Sequence, residues 1–358
     1  MRSEQFSFAK VLRWSSLFRR QYLFRCGLAL TLFVPLHSVR AATETVLYSF
    51  CSQANCTDGS SPDAGLIMDS AGNLYGTTSL GGANIGSSTE YSEGTVFKVE
   101  PGGTETVLYS FCSQTNCTDG ATPQAGLIMD KKGNLYGTTS TGGANILYVN
   151  SAGTVFKLEP GGTETVLYSF CSQNNCTDGA GPQGSLIRDK KGNLYGTTYG
   201  GGANAFGGGG GGGTVFKVEP GGTETVLYSF CSQTNCTDGS LPKAGLIMGS
   251  AGTLYGTTQG GGSNIDLFGA GTIFKVEPGG TETVLYPLCS QANCTDGVGP
   301  QGGLIMDSAG NLYGTTASGG EHSGGAVFKL PPGGGAETWL LSFCSTAKCR
   351  HGATPLAG

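Results

Sequence analysis

Charge is sparse in this chain: Asp, Glu, Lys and Arg make up 13% of its 358 residues. Lys and Arg (20) are scarcer than Asp and Glu (25), and seven of the basic but one of the acidic residues fall within residues 1–41. Residues 42–358 therefore carry 13 basic and 24 acidic side chains, a net charge of about −11. That balance excludes recognition of nucleic acid or an anionic membrane through a basic patch. Histidine is scarcer still, with three copies, of which only His322 and His351 follow residue 41. A zinc site built on histidine is excluded by that shortage, and no metal or other cofactor is expected. Long apolar runs are missing as well. The N-terminal run CGLALTLFVPL (26–36) falls well short of the roughly 20 residues that span a bilayer, so no membrane span is expected in the mature chain.

That N-terminal run has a different meaning. Arg19, Arg20 and Arg25 precede it, and Val39 and Ala41 follow with the small or apolar side chains that a signal peptidase reads. Residues 1–41 are expected to be a signal peptide, and residues 42–358 a secreted or cell-surface protein. The cysteines agree. Apart from Cys26 they fall into pairs of identical C-x4-C spacing: Cys51 and Cys56, Cys112 and Cys117, Cys171 and Cys176, Cys231 and Cys236, Cys289 and Cys294, Cys344 and Cys349. An even, regular set in an exported chain reads as one local disulfide per repeat.

What the chain has in excess is glycine, 64 residues, and internal repetition. The phrase TETVLY begins at Thr43, Thr104, Thr163, Thr223 and Thr281, with a degenerate copy, AETWLL, at Ala336. A period of about 60 residues marks an array of supersecondary units. Within one period AGLIMD, LYGTT, GTVFKVE and TETVLYSF read as strands, separated by the turns SAGN and PGG and by one variable loop. Two hairpins per period make a four-stranded meander, the unit of a propeller blade. In TETVLYSF bulk falls on both faces, with Leu108 opposite Val107 and Tyr109, as in a sheet covered on both sides. The small residues of AGLI suit an innermost strand near an axis. The expected fold is an all-β propeller of four-stranded antiparallel blades, five complete and a sixth partial. A leading strand (Thr43–Phe50) stands alone, and the last residues, GATPLAG, break off where another innermost strand is due, as in a fragment of a longer protein.

The tandem phrases LIMDxxGNLYGTTxxGG, GTVFKVEPGG and TETVLYSF resemble the GloVer repeats of bacterial extracellular proteins, a family described by its choice of C-terminal anchor. The resemblance covers nearly all of residues 42–358. It implies an exported bacterial protein, often tethered to the cell surface, and no particular activity. The chain departs from that pattern in showing no C-terminal sorting signal.

A meander places SAGN and PGG on one side of each blade. The CSQxNCTDG loops and the variable loops then share the other side. The former keep their length, while the latter differ in both length and content. A stapled frame carrying varied loops is how scaffolds present binding surfaces. Candidate contact residues in those loops are Glu90 and Tyr91, the Ala144-Asn145 step with Tyr148, Asn204 and Phe206, Asn264, Asp266 and Phe268, and Glu321 and His322. Their expected partner is a polymer, with a polysaccharide the first guess, or a protein. Acids recur in every repeat, at Asp58, Asp119, Asp178, Asp238 and Asp296, and in most at Asp69, Asp130, Asp189 and Asp307. Recurrence points to structural roles, whereas catalysis needs one asymmetric setting. Asn55 and its counterparts, although in N-x-[ST] triplets, read as turn formers. The chain reads as a non-catalytic binding scaffold. The alternatives are a structural spacer and a glycan-cleaving propeller enzyme.

Overall fold

The computed structural model describes residues 45–84, 93–145, 152–204, 211–262, 269–345, 349 and 352–356. The expected signal peptide lies outside them. Among the described residues no helix is long and apolar enough to cross a membrane.

Five four-stranded antiparallel sheets follow one another along the chain. The first holds β1 (Ile67–Met68), β2 (Leu74–Thr78), β3 (Thr95–Val99) and β4 (Glu105–Ser110). The second holds β5 (Ile128–Met129), β6 (Leu135–Thr139), β7 (Thr154–Leu158) and β8 (Glu164–Ser169). The third holds β9 (Ile187–Arg188), β10 (Leu194–Thr198), β11 (Thr214–Val218) and β12 (Glu224–Ser229). The fourth holds β13 (Ile247–Met248), β14 (Leu254–Thr258), β15 (Thr272–Val276) and β16 (Glu282–Pro287). The fifth holds β17 (Ile305–Met306), β18 (Leu312–Thr316), β19 (Ala326–Leu330) and β20 (Thr338–Ser342). In every sheet the spatial order is the chain order, so each is a meander. These are the blades of a β-propeller.

Two expectations need correction. The innermost strands, expected over AGLIMD, are only two residues long, Ile67–Met68 in the first blade. The leading stretch is not a strand: residues 45–49 are described without strand pairing.

The central strands show why the repeat carries glycine. Gly137 of β6 pairs with Phe156 of β7, and a Cβ at Gly137 would sit 2.7 Å from the Phe156 ring. The missing side chain lets the ring lie across the strand, where Phe156 is fully buried. The same pair recurs as Gly76–Phe97, Gly196–Phe216, Gly256–Phe274 and Gly314–Phe328.

Each outer pair carries a β-bulge. In the first blade Val96 faces Tyr109 and Phe97 faces Val107, which leaves Leu108 as the extra residue. As a result Leu108 and Tyr109 pack against the same cluster, that of the second blade, rather than on opposite faces. Simple alternation misplaces Leu108 for this reason.

The core lies between blades. One apolar cluster occupies each junction: blades one and two share Val96, Phe111, Leu127, Leu135, Phe156 and Leu158. Equivalent clusters join blades two and three, three and four, and four and five. Rings run across the junctions, with Phe111 to Phe156 at 5.1 Å, Phe170 to Phe216 at 4.9 Å and Phe230 to Phe274 at 5.0 Å between centroids. Nearer the innermost strands, Gly126 N–H donates to Ser185 Oγ (3.0 Å), and Thr77 Oγ1 donates to the Ala125 carbonyl (3.0 Å). A Cβ at Gly184 would lie 2.5 Å from the Ala244 carbonyl oxygen, so only small residues fit where the blades converge.

The leucine before each innermost strand reports directly on this packing. Leu127, Leu186, Leu246 and Leu304 are 1–3% exposed, whereas Leu66 of the first blade is 50% exposed. Leu186→Ala is therefore expected to cost about 3 kcal/mol. Leu66→Ala should cost under about 1 kcal/mol, since little burial is lost. Urea denaturation of the two variants checks this, and equal losses would refute core placement between blades.

Candidate functional site

The conserved-length loops are closed by disulfides. Cys51–Cys56, Cys112–Cys117, Cys171–Cys176, Cys231–Cys236, Cys289–Cys294 and Cys344–Cys349 are all paired. In the chain-entropy model a loop of about six residues gains roughly 2 kcal/mol from its bridge. That offsets an unusual backbone. Cys112, Asn116 and Cys117 all have positive φ (57°, 59° and 53°), and the other loops repeat the pattern. The Asn residues of the N-x-[ST] triplets are thus turn residues in left-handed conformation.

A buried carboxylate organises each of the first five loops. Asp119 is fully buried and accepts hydrogen bonds from Ser113 N–H (2.8 Å), Ser113 Oγ (2.9 Å), Gln114 N–H (3.3 Å) and Tyr109 Oη (2.8 Å). Asp58, Asp178 and Asp238 hold the same donors in their own loops. These acids are engaged in folding the loop. The hairpin acids are engaged as well. Asp130 accepts from Lys132 N–H, Asn134 N–H, Asn134 Nδ2 and Tyr136 Oη. Where Gly249 replaces this Asp, Thr253 stands in place of the Asn, and its hydroxyl donates instead to Glu277 (2.8 Å).

The stapled and variable loops share a face and are hydrogen-bonded to one another. In the first blade Ser60 pairs with Leu80, and Gly82 N–H donates to the Cys56 carbonyl (3.0 Å). On the far side Asn84 Nδ2 donates to the carbonyls of Ser110 (2.8 Å) and Phe111 (3.1 Å), where the next stapled loop begins. The stem of each variable loop is therefore clamped between two stapled loops.

The candidate contact residues separate on this basis. Asn145 and Asn204 are clamp residues, each donating to two carbonyls of the outer strand's end, and Ala144 N–H donates to Ser169 Oγ. Glu321 and His322 are exposed at the tip of the shortest loop. Glu90, Tyr91, Tyr148, Phe206, Asn264, Asp266 and Phe268 lie outside the described residues. On the second stapled loop the exposed positions are Ser113, Gln114, Thr115 and Asn116, neutral amides and hydroxyls; the first and fifth loops keep the Ser, Gln and Asn with Ala54 and Ala292 between them. Among the described residues no group of three His, Cys, Asp or Glu is arranged to hold a metal ion.

One set of residues escaped the sequence reading. The Glu that opens each outer strand packs into a blade junction near the preceding loop's Asp. Oε1 of Glu105, Glu164, Glu224 and Glu282 is buried with no hydrogen-bond partner among the described residues. Burial lifts these carboxyls from the ordinary 4.5 to about 7, and the charges of Asp58, Asp119, Asp178 and Asp238 add to the shift. Glu337 is raised to about 8 for the same reasons. The strict recurrence of Thr-Glu-Thr was the available signal, but an acid in an outer strand reads as solvated.

The chain belongs to the repeat-built β-propellers stapled by short disulfide loops. Its family is the Gloeobacter/Verrucomicrobia repeat, whose model matches residues 36–234 and 202–358. No curated protein sequence matches it. Among solved structures it is similar to a chain of a nidogen/laminin complex, at 18% identity and a TM-score of 0.43 over 74% of each chain. It is also similar to a putative 6-phosphogluconolactonase from Bacteroides uniformis, at 14% identity and a TM-score of 0.43 over 78% of this chain and 70% of that one. A putative gluconolactonase matches at 16% identity and a TM-score of 0.37, over 70% and 69% of the respective chains. Likeness at this level has no bearing on activity.

The buried glutamates set a pH dependence. A carboxyl whose pKa is raised on folding contributes stability that is complete below 4.5 and lost as pH rises through about 7. Asp69, Asp130, Asp189 and Asp307 act oppositely. Their hydrogen bonds hold them below 3.8, so their contribution is present above that value and lost as pH falls further. Stability is expected to peak between about pH 4 and 5 and to decline toward pH 7. Thermal denaturation at stepped pH checks this. The variant E164Q/E224Q/E282Q should flatten the decline, and a wild-type curve rising from pH 5 to 7 would contradict the assignment.

Proposed function

We propose that this chain is an extracytoplasmic, non-catalytic binding scaffold that recognises a neutral polymer, a polysaccharide in the first instance, on the face carrying the stapled loops. The observation behind this reading is the clamping of every described variable-loop stem between two rigid stapled loops. Variation is confined to tips held on an invariant frame, the division that binding scaffolds use. Six disulfides favour an oxidising compartment.

The polymer is inferred from the chemistry of the frame. Each of the first five stapled loops presents Ser, Gln and Asn side chains without a charge. Planar amides and hydroxyls suit the hydroxyls of sugars, and their repetition around one face suits a ligand that itself repeats. Several weak contacts then add through effective concentration. The recurrent acids support a non-catalytic reading, since Asp119 and its counterparts already accept three or four hydrogen bonds from their own loops.

The test is a binding screen of residues 42–358 against cell-wall and plant polysaccharides, beside a variant whose variable loops are all cut to the eight-residue form of the fifth repeat. Saturable binding by the parent and its loss in a variant of unchanged melting temperature is the expected result. Turnover of any glycan, abolished by one unrepeated acid such as Glu321, would replace this reading with an enzymatic one. Binding by neither protein would leave the array a spacer.

A further inference from the structure

The hairpin turn between the first two strands of each blade carries lysine in two blades only. It reads Asp-Ser-Ala-Gly-Asn at residues 69–73 and 307–311 and Gly-Ser-Ala-Gly-Thr at 249–253. In the second and third blades it reads Asp-Lys-Lys-Gly-Asn, at residues 130–134 and 189–193. The residue before the turn is Met68, Met129, Met248 or Met306 in four blades, and Arg188 in the third. Lys131, Lys132, Arg188, Lys190 and Lys191 are all exposed. They are five of the 13 basic side chains of residues 42–358, and they fall on two neighbouring blades.

Strand register puts these turns at the end of the blades away from the stapled loops. Met129 faces Leu135, Leu135 faces Leu158 and Leu158 faces Glu164, so residues 130–134 and 159–163 turn at the same end of the sheet. Arg188 ties the two lysine turns together. Its guanidinium carbon lies 5.5 Å from the centre of the Tyr136 ring, within the range of cation–π attraction. Tyr136 Oη donates in turn to Asp130 of the second blade's hairpin (3.1 Å). A Cβ at Gly192 would lie 2.9 Å from Arg188 Nη2, so the same side chain also covers the third blade's hairpin.

The acids nearby are already engaged. Asp130 and Asp189 each accept four hydrogen bonds, from their own turn and from Tyr136 or Tyr195. Glu159 and Glu219 are paired with Lys157 and Lys217 at 2.7 and 2.8 Å. None of the ion pairs among the described residues includes any of the five cations.

We propose that these five side chains form a second binding surface, for a linear polysaccharide bearing carboxylates, on the face away from the stapled loops. It does not depend on the neutral-polymer reading of the other face. Five cations against Asp130 and Asp189 leave a local excess of positive charge, while the rest of residues 42–358 holds eight basic and 22 acidic side chains. At about 0.15 M salt charges act over about 8 Å, so a ligand on the patch meets the cations and little of the distant acids. Arg188 offers a planar fork that matches a carboxylate, with lysine point charges on either side of it. The large exposed apolar side chains among the described residues, such as Leu66, Met68, Ile305 and Leu340, lie outside blades two and three. The patch therefore lacks the apolar anchor that centres a protein interface. A membrane or a nucleic-acid duplex would extend over the neighbouring turns, where Asp69 has no lysine beside it. An acidic glycan needs neither an anchor nor breadth, because its carboxylates add through effective concentration.

The test uses counterparts already present in the chain, so each altered turn keeps a sequence that folds at that place. K131S/K132A/K190S/K191A gives blades two and three the Ser-Ala of Ser70 and Ala71, and R188M gives the third blade the methionine of the other four. Binding to immobilised polygalacturonate is measured in EDTA at about 0.15 M and about 1 M salt, where charges act over about 8 and about 3 Å. The expected result is saturable binding by the parent at the lower salt, lost at the higher. The four-lysine variant should bind about tenfold more weakly, as for the loss of several exposed ion pairs, and R188M should also be weakened, both in proteins that melt like the parent. Adding S70K/A71K/S250K/A251K to the four-lysine variant restores the net charge on blades one and four, which are not neighbours, and should not restore binding. Restoration would assign the effect to net charge and overturn the proposal. So would equal binding by the parent and the four-lysine variant, or no binding by the parent at about 0.15 M salt. Tighter binding to duplex DNA or to phosphatidylglycerol vesicles than to polygalacturonate would overturn it too.

Discussion

Everything in this structure depends on the packing of one four-stranded sheet against the next. A blade of about 60 residues has its largest side chains, Phe156 and Leu158 in the second, on faces that only a neighbour can cover. Among the described residues the four largest apolar clusters sit at junctions rather than within blades, and a smaller one, Ala270, Leu288 and Cys289, lies where the fourth blade meets its stapled loop. The glycine opposite each core phenylalanine and the small residues near the innermost strands serve that packing. The glycine lets the ring lie flat across the strand, and the small residues let backbones converge.

With the frame fixed by sheet packing, the loops divide into two kinds. The first five stapled loops are held by a bridge and by a buried aspartate that gathers donors from Ser, Gln and Tyr, so each of these copies is folded from within. The variable loops borrow their order at the stem, where an asparagine such as Asn84 or Asn145 ties them to the neighbouring strand end. Beyond the stem their composition is unconstrained by the frame. The outer-strand glutamates contribute nothing of this kind. Their buried Oε1 atoms, without a hydrogen-bond partner among the described residues, make the junctions sensitive to pH near neutrality.

Much of this was legible in the chain itself. The period, the two hairpins per repeat and the Cys pairs are local features, repeated often enough to be read without a structure. The common face of the two loop classes followed from the alternation of strand direction alone. What was not legible depends on contacts between residues far apart in sequence. The bulge at Leu108 arises from pairing β4 against β3, and breaks the alternation written in the sequence. The junction setting of Glu164 comes from the preceding blade, so its Thr-Glu-Thr context reads as solvated. Asn145 looked like a ligand contact because it begins a variable loop, whereas its amide is spent on the carbonyls of Ser169 and Phe170. Glu321 and His322, by contrast, are exposed where the sequence places a variable-loop tip.

The central claim is that burial between blades, and not pairing within them, sets stability along the array. Native-state hydrogen exchange in rising denaturant measures this strand by strand. The account predicts the slowest exchange in β6, β7, β10, β11, β14 and β15, whose blades are covered on both faces. Faster opening is predicted in β2, β3, β18 and β19, whose blades have one covered face. Equal protection in all five blades would mean that each sheet is stable by itself, and would contradict the account.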